Sequence, residues 1–230
     1  MASADNPLIE LLPRNERTRL LSLCEPVELV LTEVLYEPGR AIRHVYFPTG
    51  GFVSLVMSID GNPGLEIGMV GREGMVGAHL ALGVADAPLH ALVQGAGSAW
   101  RIGAPAFRRE LAASAALRRG MHHYLYVLMA QMAEAAGCLR YHLIGPRLAR
   151  WLLMSQDRAH HDSFQVTQEF LAYMLGVRRV GVTKAAGDLQ RRGLIEYHRG
   201  MVTVRDRTGL EAAACSCYAI DCKIYSDRLG

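Results

Sequence analysis

The sequence lacks any apolar run of the length that a membrane-spanning helix needs, and it opens without a charged-then-apolar leader. It also contains no low-complexity tract and no internal repeat. Half of its 230 residues are hydrophobic, which is enough to bury one large core or two modest ones. We therefore expect a soluble, cytoplasmic protein of one or two domains with no membrane partner.

The cysteines cannot all pair with one another, and the sequence motifs of several enzyme classes are missing. The chain has five cysteines, an odd number that favours reduced thiols over a disulfide framework. We find no H-E-x-x-H helix, no Walker loop and no nucleophile elbow. Gly71, Gly74 and Gly77 are spaced like a phosphate loop, but neither a lysine nor an opening helix accompanies them. We therefore predict that the protein is not an enzyme.

The segment 167–205 has the pattern of two helices joined by a tight turn and followed by a hairpin. Thr167 suits the N-cap of the first helix, and Gly176 suits the left-handed residue that ends it. The second helix is predicted over about 178–192, with one apolar side at helical spacing. Residues 194–204 then read as two strands around an Arg-Gly turn. This order predicts a winged helix-turn-helix, whose second helix enters the major groove of DNA.

Basic residues are concentrated in the same part of the chain. Between positions 178 and 205, seven Lys or Arg residues and two acids give a local net charge of +5, whereas the whole chain carries only +3. A basic patch on a near-neutral body is the electrostatic footprint of a nucleic-acid-binding protein. We therefore predict that the chain binds double-stranded DNA. The residues predicted to make this contact are Arg178, Arg179, Lys184, Gln168, Arg191 and Arg199.

Residues 26–104 contain short extended segments that are separated by glycine and proline. This pattern predicts an antiparallel β barrel or sandwich. Two of the predicted strands, 45–47 and 52–57, are separated by a predicted turn at Pro48, Gly50 and Gly51. Two others are predicted at 91–93 and 98–102.

A long helix is predicted after the strands, with apolar residues recurring at steps of four and three. The mean step of about 3.67 residues matches a nearly straight helical seam. Such a stripe also suits the core-facing side of a monomer, but its length favours a seam between two subunits. The predicted dimerisation residues are Leu117, Met121, Tyr124, Leu128, Met132, Ala135 and Leu139.

Five segments, in their order and spacing, resemble the Crp/Fnr family of bacterial transcriptional regulators over nearly the full length. They are YEPG (36–39), VYFPTGG (45–51), EIGMVGREGMVG (66–77), RLARWLL (147–153) and TQEFLAYMLGVRRVGVTKAAGDLQRRGLI (167–195). The resemblance implies an α+β fold and a homodimer that regulates transcription from a near-palindromic operator, with RNA polymerase as an expected partner. Its implied parts are a cyclic-nucleotide-binding-like antiparallel β-roll at 1–112, a dimerisation helix at 113–144, and a winged helix-turn-helix with a tail helix at 145–230.

The resemblance also assigns roles in the second helix of the motif. In well-known relatives an Arg-Glu pair and a later Arg read the edges of bases. Arg179 and Lys184 take the places of the two basic residues, whereas Val180 stands where the Glu would be. Valine can contact at most a thymine methyl group, so we expect a different operator sequence. Arg178 is expected to read a base or grip a phosphate, and Gln168 to contact a phosphate.

Relatives that bind cyclic AMP carry Gly-Glu in the β-roll and, further along, Arg-Ser/Thr-Ala. Here Gly77 matches the glycine, Ala78 replaces the Glu, and either 88–90 or 89–91 falls where the Arg motif should lie. Neither segment has an arginine to pair with the cyclic phosphate, and a buried phosphate without a cation is costly. We therefore predict no useful affinity for cyclic AMP and assign no cofactor. The weak candidates for contacting another nucleotide or anion are Gly77, His79, Leu89 and His90.

The thiols of Cys215, Cys217 and Cys222 lie close together in the tail and leave an alternative function open. Three cysteines within such a short segment can bind a metal ion or an iron–sulfur centre. On a helix, however, positions 215 and 222 share a face that 217 does not, which makes a poor tetrahedral set. We therefore assign no metal, and these cysteines stay weak candidates for a thiol or metal sensor.

Overall fold

A computed structural model describes residues 5–61, 64–159 and 161–229 of the chain. The architecture is α+β, as the resemblance implies, with an antiparallel sheet in the N-terminal half and a mostly helical C-terminal half. The strands of the first half are β1 (Glu25–Leu29), β2 (Val34–Tyr36), β3 (His44–Met57), β4 (Leu65–Val70) and β5 (His90–Gly103). Its helices are α1 (Pro7–Glu10), α2 (Arg14–Ser22) and α3 (Ala104–Ala113), with a 3-10 helix at Ala78–Leu82.

The sheet of the β-roll is built on two long strands. Its strands lie in the order β1-β5-β3-β4, with β2 also paired to β5 and every pair antiparallel. The predicted turn between 45–47 and 52–57 is wrong, because β3 runs through Pro48, Gly50 and Gly51 while the register of its pairing with β5 shifts. Likewise β5 joins the two strands predicted at 91–93 and 98–102. The bulges bend the chain without ending the ladder.

A long helix, α4 (Ala115–Tyr141), crosses from the β-roll toward the C-terminal half. Its N-cap is Ser114, whose hydroxyl accepts a hydrogen bond from the backbone N–H of Leu117 at 2.8 Å. The side chains of Met121 and Tyr124 are fully buried and pack in the core of the β-roll, beside residues such as Phe47. One face of α4 therefore completes the first hydrophobic core.

The C-terminal half has a second hydrophobic core, which is built around the helix at Ile144–Ala159. Its elements are α5 (Ile144–Ala159), β6 (Ser163–Gln165), α6 (Gln168–Met174), α7 (Arg179–Arg191), β7 (Ile195–His198), β8 (Met201–Val204), α8 (Arg207–Ala213) and α9 (Cys217–Leu229). Strands β6, β8 and β7 form a three-stranded sheet in that order. Leu148 and Leu152 of α5 pack with Leu171, Val182 and Leu189. In the described part of the chain, no helix combines the length and the apolar character that crossing a bilayer requires.

Polar contacts and shared packing join the two halves. Phe52 of β3 lies in the same hydrophobic cluster as Trp151 of α5. The indole Nε1–H of Trp151 donates to Glu66 Oε1 of β4 at 2.9 Å. Arg158 of α5 forms an ion pair with Glu73 at 2.8 Å. The helix that carries the helix-turn-helix is therefore fastened directly to the β-roll.

Candidate nucleic-acid interface

The helix-turn-helix is formed by α6, a short turn and α7. The Thr167 hydroxyl caps α6 by accepting from the backbone N–H of Phe170 at 3.1 Å. The turn contains Gly176 with a φ of +62°, a left-handed value that glycine adopts at little cost. Val182, Ala186 and Leu189 are the buried residues of α7, and their spacing of four and three places them on one side of the helix. The opposite side of α7 is left for an external partner.

The exposed side of α7 begins with the predicted base-reading residues. Arg178 is the N-cap residue of α7 and Arg179 is its first residue, and both are exposed. Val180 is 59% exposed, and Lys184 lies one turn further along on the same side. The backbone N–H groups at the start of α7 add the positive end of the helix dipole to these cations. This end of α7 is therefore the part best suited to meet a polyanion.

Ion pairs divide the seven cations of the segment into two groups. Asp188 pairs with Arg191 at 3.2 Å and with Arg192 at 3.9 Å, and Glu196 pairs with Arg205. The two acids of the segment thus neutralise cations at the far end of α7 and beside the hairpin. The residues that form no ion pair with any described residue are Arg178, Arg179, Lys184 and Arg199. Unpaired charge is therefore concentrated at the start of α7 and at the tip of the wing.

The tip of the wing is a two-residue turn between β7 and β8. Arg199 has a φ of +48° and Gly200 a φ of +79°, which is the left-handed pair that a type I′ hairpin turn requires. Arginine is an uncommon residue at such a φ, and its side chain is exposed there. The wing is braced from behind, because the Tyr197 hydroxyl donates to the carbonyl of Val166 at 2.7 Å. The turn therefore presents a cation on a rigid support.

Gln168 lies at the start of α6 and contacts α7. Its Oε1 accepts a hydrogen bond from the Thr183 hydroxyl at 2.7 Å, and the same hydroxyl lies 3.1 Å from the carbonyl oxygen of Arg179. The sequence reasoning did not single out Thr183, because a threonine inside a helix carries no signal of its own. This contact holds the Gln168 side chain in place through its Oε1. The amide N–H₂ group of Gln168 is then the part that can donate to a DNA phosphate.

A small apolar cavity lies between the β-roll and α4. Its volume is about 170 Å³, and it is lined by Gly77, His79 and Leu89 among mostly apolar residues that include Met129 and Met132. His90, the fourth weak ligand candidate, is not part of the lining, and no arginine or lysine is. His79 Nε2 is buried without a hydrogen-bond partner among the described residues, and burial lowers the pKa of this imidazole. The cavity therefore suits a neutral group better than an anion.

The predicted dimerisation stripe turns out to face the chain's own core over much of its length. Leu117, Met121, Tyr124 and Leu128 are buried against the β-roll, so their prediction as contacts to a second subunit is wrong. Met132, Ala135 and Leu139 are partly buried. Periodicity identifies an apolar side of a helix but not the surface that covers it, and here the β-roll covers it.

The tail cysteines are arranged differently from the sequence prediction. Cys222, one of the three weak metal candidates, is exposed and does not belong to the group that contains Cys215 and Cys217. Cys215 and Cys217 instead meet Cys138 and His142 at the end of α4. A hydrogen bond from Cys215, aided by His142 and Arg150, holds the pKa of Cys138 well below its usual range. The i, i+4 spacing of Cys138 and His142 is the one sequence signal that could have pointed to this group.

Comparison with known proteins identifies the class of the C-terminal domain. Residues 146–213 match the family model of the Crp-like helix-turn-helix domain. No curated protein matches the chain. This match covers α5 to α8, the elements that present the cations described above.

Solved structures share the fold over most of the chain. FixK2 from Bradyrhizobium japonicum is 14% identical, with a TM-score of 0.70 over 84% of this chain and 98% of that one. A Crp/Fnr-family regulator from Eubacterium rectale is also 14% identical, with a TM-score of 0.69 over 92% and 99% of the two chains. The c-di-GMP-responsive global regulator CLP from Xanthomonas campestris is 16% identical, with a TM-score of 0.66 over 84% and 99%.

The domain match and the shared fold agree with the resemblance to the Crp/Fnr family. The chain carries a Crp-like, DNA-binding helix-turn-helix domain at 146–213, and its fold is that of Crp/Fnr transcriptional regulators.

Proposed function

We propose that this protein is a homodimeric, sequence-specific transcriptional regulator that binds a near-palindromic operator through α7 and the wing. The observation that carries the proposal is the position of the unpaired cations, at the start of α7 and at the tip of the wing. A dimer that places two such surfaces on one face of DNA would contact two successive major grooves. The sequence would be read by α7, and the wing would hold the backbone.

The candidate DNA-binding residues divide between those suited to bases and those suited to phosphates. Arg179 has no ion-pair partner and suits the bidentate contact with guanine, and Lys184 suits a second acceptor one turn further along. The exposed Val180 can contact a thymine methyl group but cannot accept a hydrogen bond from a cytosine amino group. Arg199 and the amide of Gln168 suit phosphates, whereas Arg191 is the weakest of these candidates because it already pairs with Asp188.

We expect Arg179→Ala to weaken binding to the selected operator by about 1–3 kcal/mol per half-site, with a much smaller loss on random DNA. The operator is first obtained by selecting bound fragments from a random DNA pool. Affinities are then measured by fluorescence anisotropy at a fixed salt concentration, because phosphate contacts depend strongly on salt. Arg205→Ala is the matched control, since Arg205 already pairs with Glu196. Equal losses on operator and random DNA would move Arg179 to a backbone role.

The exposed side of α4 is the surface that we propose for dimerisation. Tyr126, Met129, Ala133 and Ala136 are exposed and follow one another at steps of three, four and three. Alternating steps of three and four are the a and d spacing of a left-handed coiled-coil seam. Met129 is 70% exposed, which is high for a large apolar side chain in the middle of a long helix. The seam thus lies on the same helix as the sequence predicted, rotated away from the core.

We expect Met129→Arg to weaken dimerisation by at least about 2 kcal/mol, or roughly thirtyfold, because it buries unpaired charge in an apolar seam. Sedimentation velocity at several protein concentrations measures the change. Val34→Arg, at another exposed apolar residue that lies on β2, is the control and should leave the association unchanged. A Met129→Arg protein that stays dimeric at the lowest concentration would exclude this seam.

We further propose that cyclic AMP is not the effector. The cavity of the β-roll has no arginine or lysine in its lining, so a cyclic phosphate there would be buried without a cation. Isothermal titration with cyclic AMP, cyclic GMP and c-di-GMP, the nucleotide to which the Xanthomonas relative responds, should give no micromolar binding. Micromolar binding of any of them would contradict this part of the proposal.

A second candidate function is the sensing of a small, largely apolar molecule in the same cavity. The observation that favours it is the buried and unpartnered Nε2 of His79 in an otherwise apolar lining. A neutral ligand with one hydrogen-bonding group would satisfy that nitrogen and also contact Met129 and Met132 of α4. A thermal-shift screen of such compounds, repeated on His79→Phe, tests the candidate.

A further inference from the structure

Four potential metal ligands from distant parts of the chain meet at one end of α4. Cys138 lies in the last turn of α4, and His142 is the residue that follows the helix. Cys215 lies between α8 and α9, and Cys217 is the first residue of α9. The ligand atoms of all four residues lie within 4.8 Å of one another. The fold therefore brings together two pairs of residues that are more than seventy positions apart in sequence.

Two of the six distances among these atoms match the edges of a tetrahedron around one metal ion, and the other four are at most 4.8 Å. The Sγ atoms of Cys138 and Cys215 are 3.6 Å apart, and Cys217 Sγ lies 3.5 Å from His142 Nδ1. A tetrahedral zinc ion with Zn–S bonds of about 2.3 Å and Zn–N bonds of about 2.0 Å has S···S edges of roughly 3.8 Å and S···N edges of roughly 3.5 Å. A disulfide needs about 2.05 Å between sulfurs, so the thiols are not bonded to each other.

The surroundings of the four residues also fit a closed metal site. Cys138, Cys215 and Cys217 are buried and form a small cluster separate from both hydrophobic cores. Arg147 and Arg150 of α5 lie close enough to interact electrostatically with Cys138 and Cys215. Three thiolates around a divalent ion would leave one negative charge, which these guanidinium groups can balance. The cluster therefore has the donor set, the burial and the charge compensation of a structural zinc site.

We propose that Cys138, His142, Cys215 and Cys217 bind a single Zn²⁺ ion in a closed Cys₃His site. Binding would release the thiol protons to solvent, so that three thiolates and the neutral imidazole Nδ1 complete the tetrahedron. A four-iron cluster does not fit, because its cysteine ligands must reach separate corners of a cube rather than one common point. With no open position, the ion holds the fold together and does no chemistry of its own.

The site would join three elements that set the position of the DNA-binding domain. It ties the end of α4 to the start of α9, and α9 is linked to α5 by the Arg150–Asp221 ion pair. The backbone N–H of Cys215 also donates to the carbonyl of Pro146 at 3.2 Å, which holds the site against the start of α5. If the proposed DNA-binding function holds, zinc would stabilise the orientation of α7 relative to the proposed dimer helix; the zinc site itself does not depend on that function.

Metal analysis of the purified full-length chain tests the proposal. Protein prepared with a thiol reductant and without a metal-affinity tag should contain about one zinc ion per chain by mass spectrometry. Cys138→Ser and Cys217→Ser should each lower zinc affinity at least about tenfold in competition with a chromophoric chelator. Cys222→Ser and Cys24→Ser are the matched controls, since both cysteines lie outside the cluster, and they should keep the full zinc content.

Cobalt substitution keeps the test informative even if a cysteine variant fails to fold. Apo protein from the wild-type chain, titrated with Co²⁺ alone, should show the thiolate charge-transfer band and the intense d–d bands of a tetrahedral site. The proposal would be overturned if the isolated protein contained no zinc and the apo protein gave no such cobalt spectrum. A Cys138–Cys215 disulfide in a preparation made with reductant would overturn it as well.

Operator binding is measured in parallel, so that a zinc-free protein that still binds DNA removes only this inference. A zinc-loaded protein that binds no DNA would remove only the proposed function.

Discussion

Arg150→Met should lower the free energy of unfolding by about 3–5 kcal/mol at neutral pH, because it leaves a buried carboxylate without its cation. Arg150 Nη2 lies 2.6 Å from Asp221 Oδ2, and the two side chains are only 13% and 5% exposed. The other carboxylate oxygen, Asp221 Oδ1, has no hydrogen-bond partner among the described residues. Burial already raises the pKa of Asp221 even with Arg150 in place. Urea denaturation followed by circular dichroism measures the loss.

A double variant separates the loss of a favourable pair from the cost of an unpaired charge. Arg150→Met combined with Asp221→Leu removes both charges and should recover most of the stability that Arg150→Met alone loses. The exposed pair Lys223–Asp227 on α9 is the control, and Lys223→Met should change stability by less than about 1 kcal/mol. If Arg150→Met and the double variant were equally unstable, the packing of the arginine stem, and not its charge, would account for the effect.

Glu66→Gln should stabilise the protein by up to about 3 kcal/mol at pH 8 and have little effect near pH 4.5. Burial raises the pKa of Glu66 from its ordinary 4.5 to about 7, against the opposing effect of its hydrogen bonds with Ser54 and Trp151. The folded state therefore binds a proton that the unfolded state releases between these two pH values. The Glu66 contribution to stability consequently falls as the pH rises from about 4.5 to about 7, and glutamine removes this loss.

The prediction is checked by urea denaturation at a series of pH values for wild type and variant. The difference between the two proteins should grow from pH 4.5 to about 7 and then stay level. Glu37→Gln, at an exposed residue in the same half of the chain, is the control, and its stability should follow the wild type across the series. A difference that is constant with pH would show that the pKa of Glu66 is the same in the folded and unfolded states.

The DNA-binding motif could be predicted in detail because its signals are local. The cap at Thr167, the left-handed glycine at 176 and the apolar spacing of Val182, Ala186 and Leu189 all act within a few residues. The short strand β6 of the same sheet was not predicted. Its three residues pair with β8 across nearly forty positions, and so short a segment has no periodicity of its own.

The β-roll could be predicted only in outline, because its strands are defined by long-range pairing. Glycine and proline at 48–51 look like a turn in the sequence, yet β3 passes through them because β5 offers a continuous partner across the bulges. The same holds at the glycines of β5. Local residue preferences correctly predict that the chain bends at these glycines. Whether the strand ends at the bend is decided by its hydrogen-bonded pairing with the neighbouring strand.

The sequence by itself determined the winged helix-turn-helix and the basic charge of its segment, since capping, periodicity and composition are properties of neighbouring residues. Helical spacing already places Asp188 beside Arg191 and Arg192, but only the tertiary structure decided that Glu196 neutralises Arg205, because those two residues meet across the hairpin. It also decided that Tyr124 faces the core of the chain while Met129 faces outward, since both are apolar residues of one helix. Finally, it brought Cys138 and His142 to Cys215 and Cys217, because α9 folds back along α4 and no local pattern encodes that return.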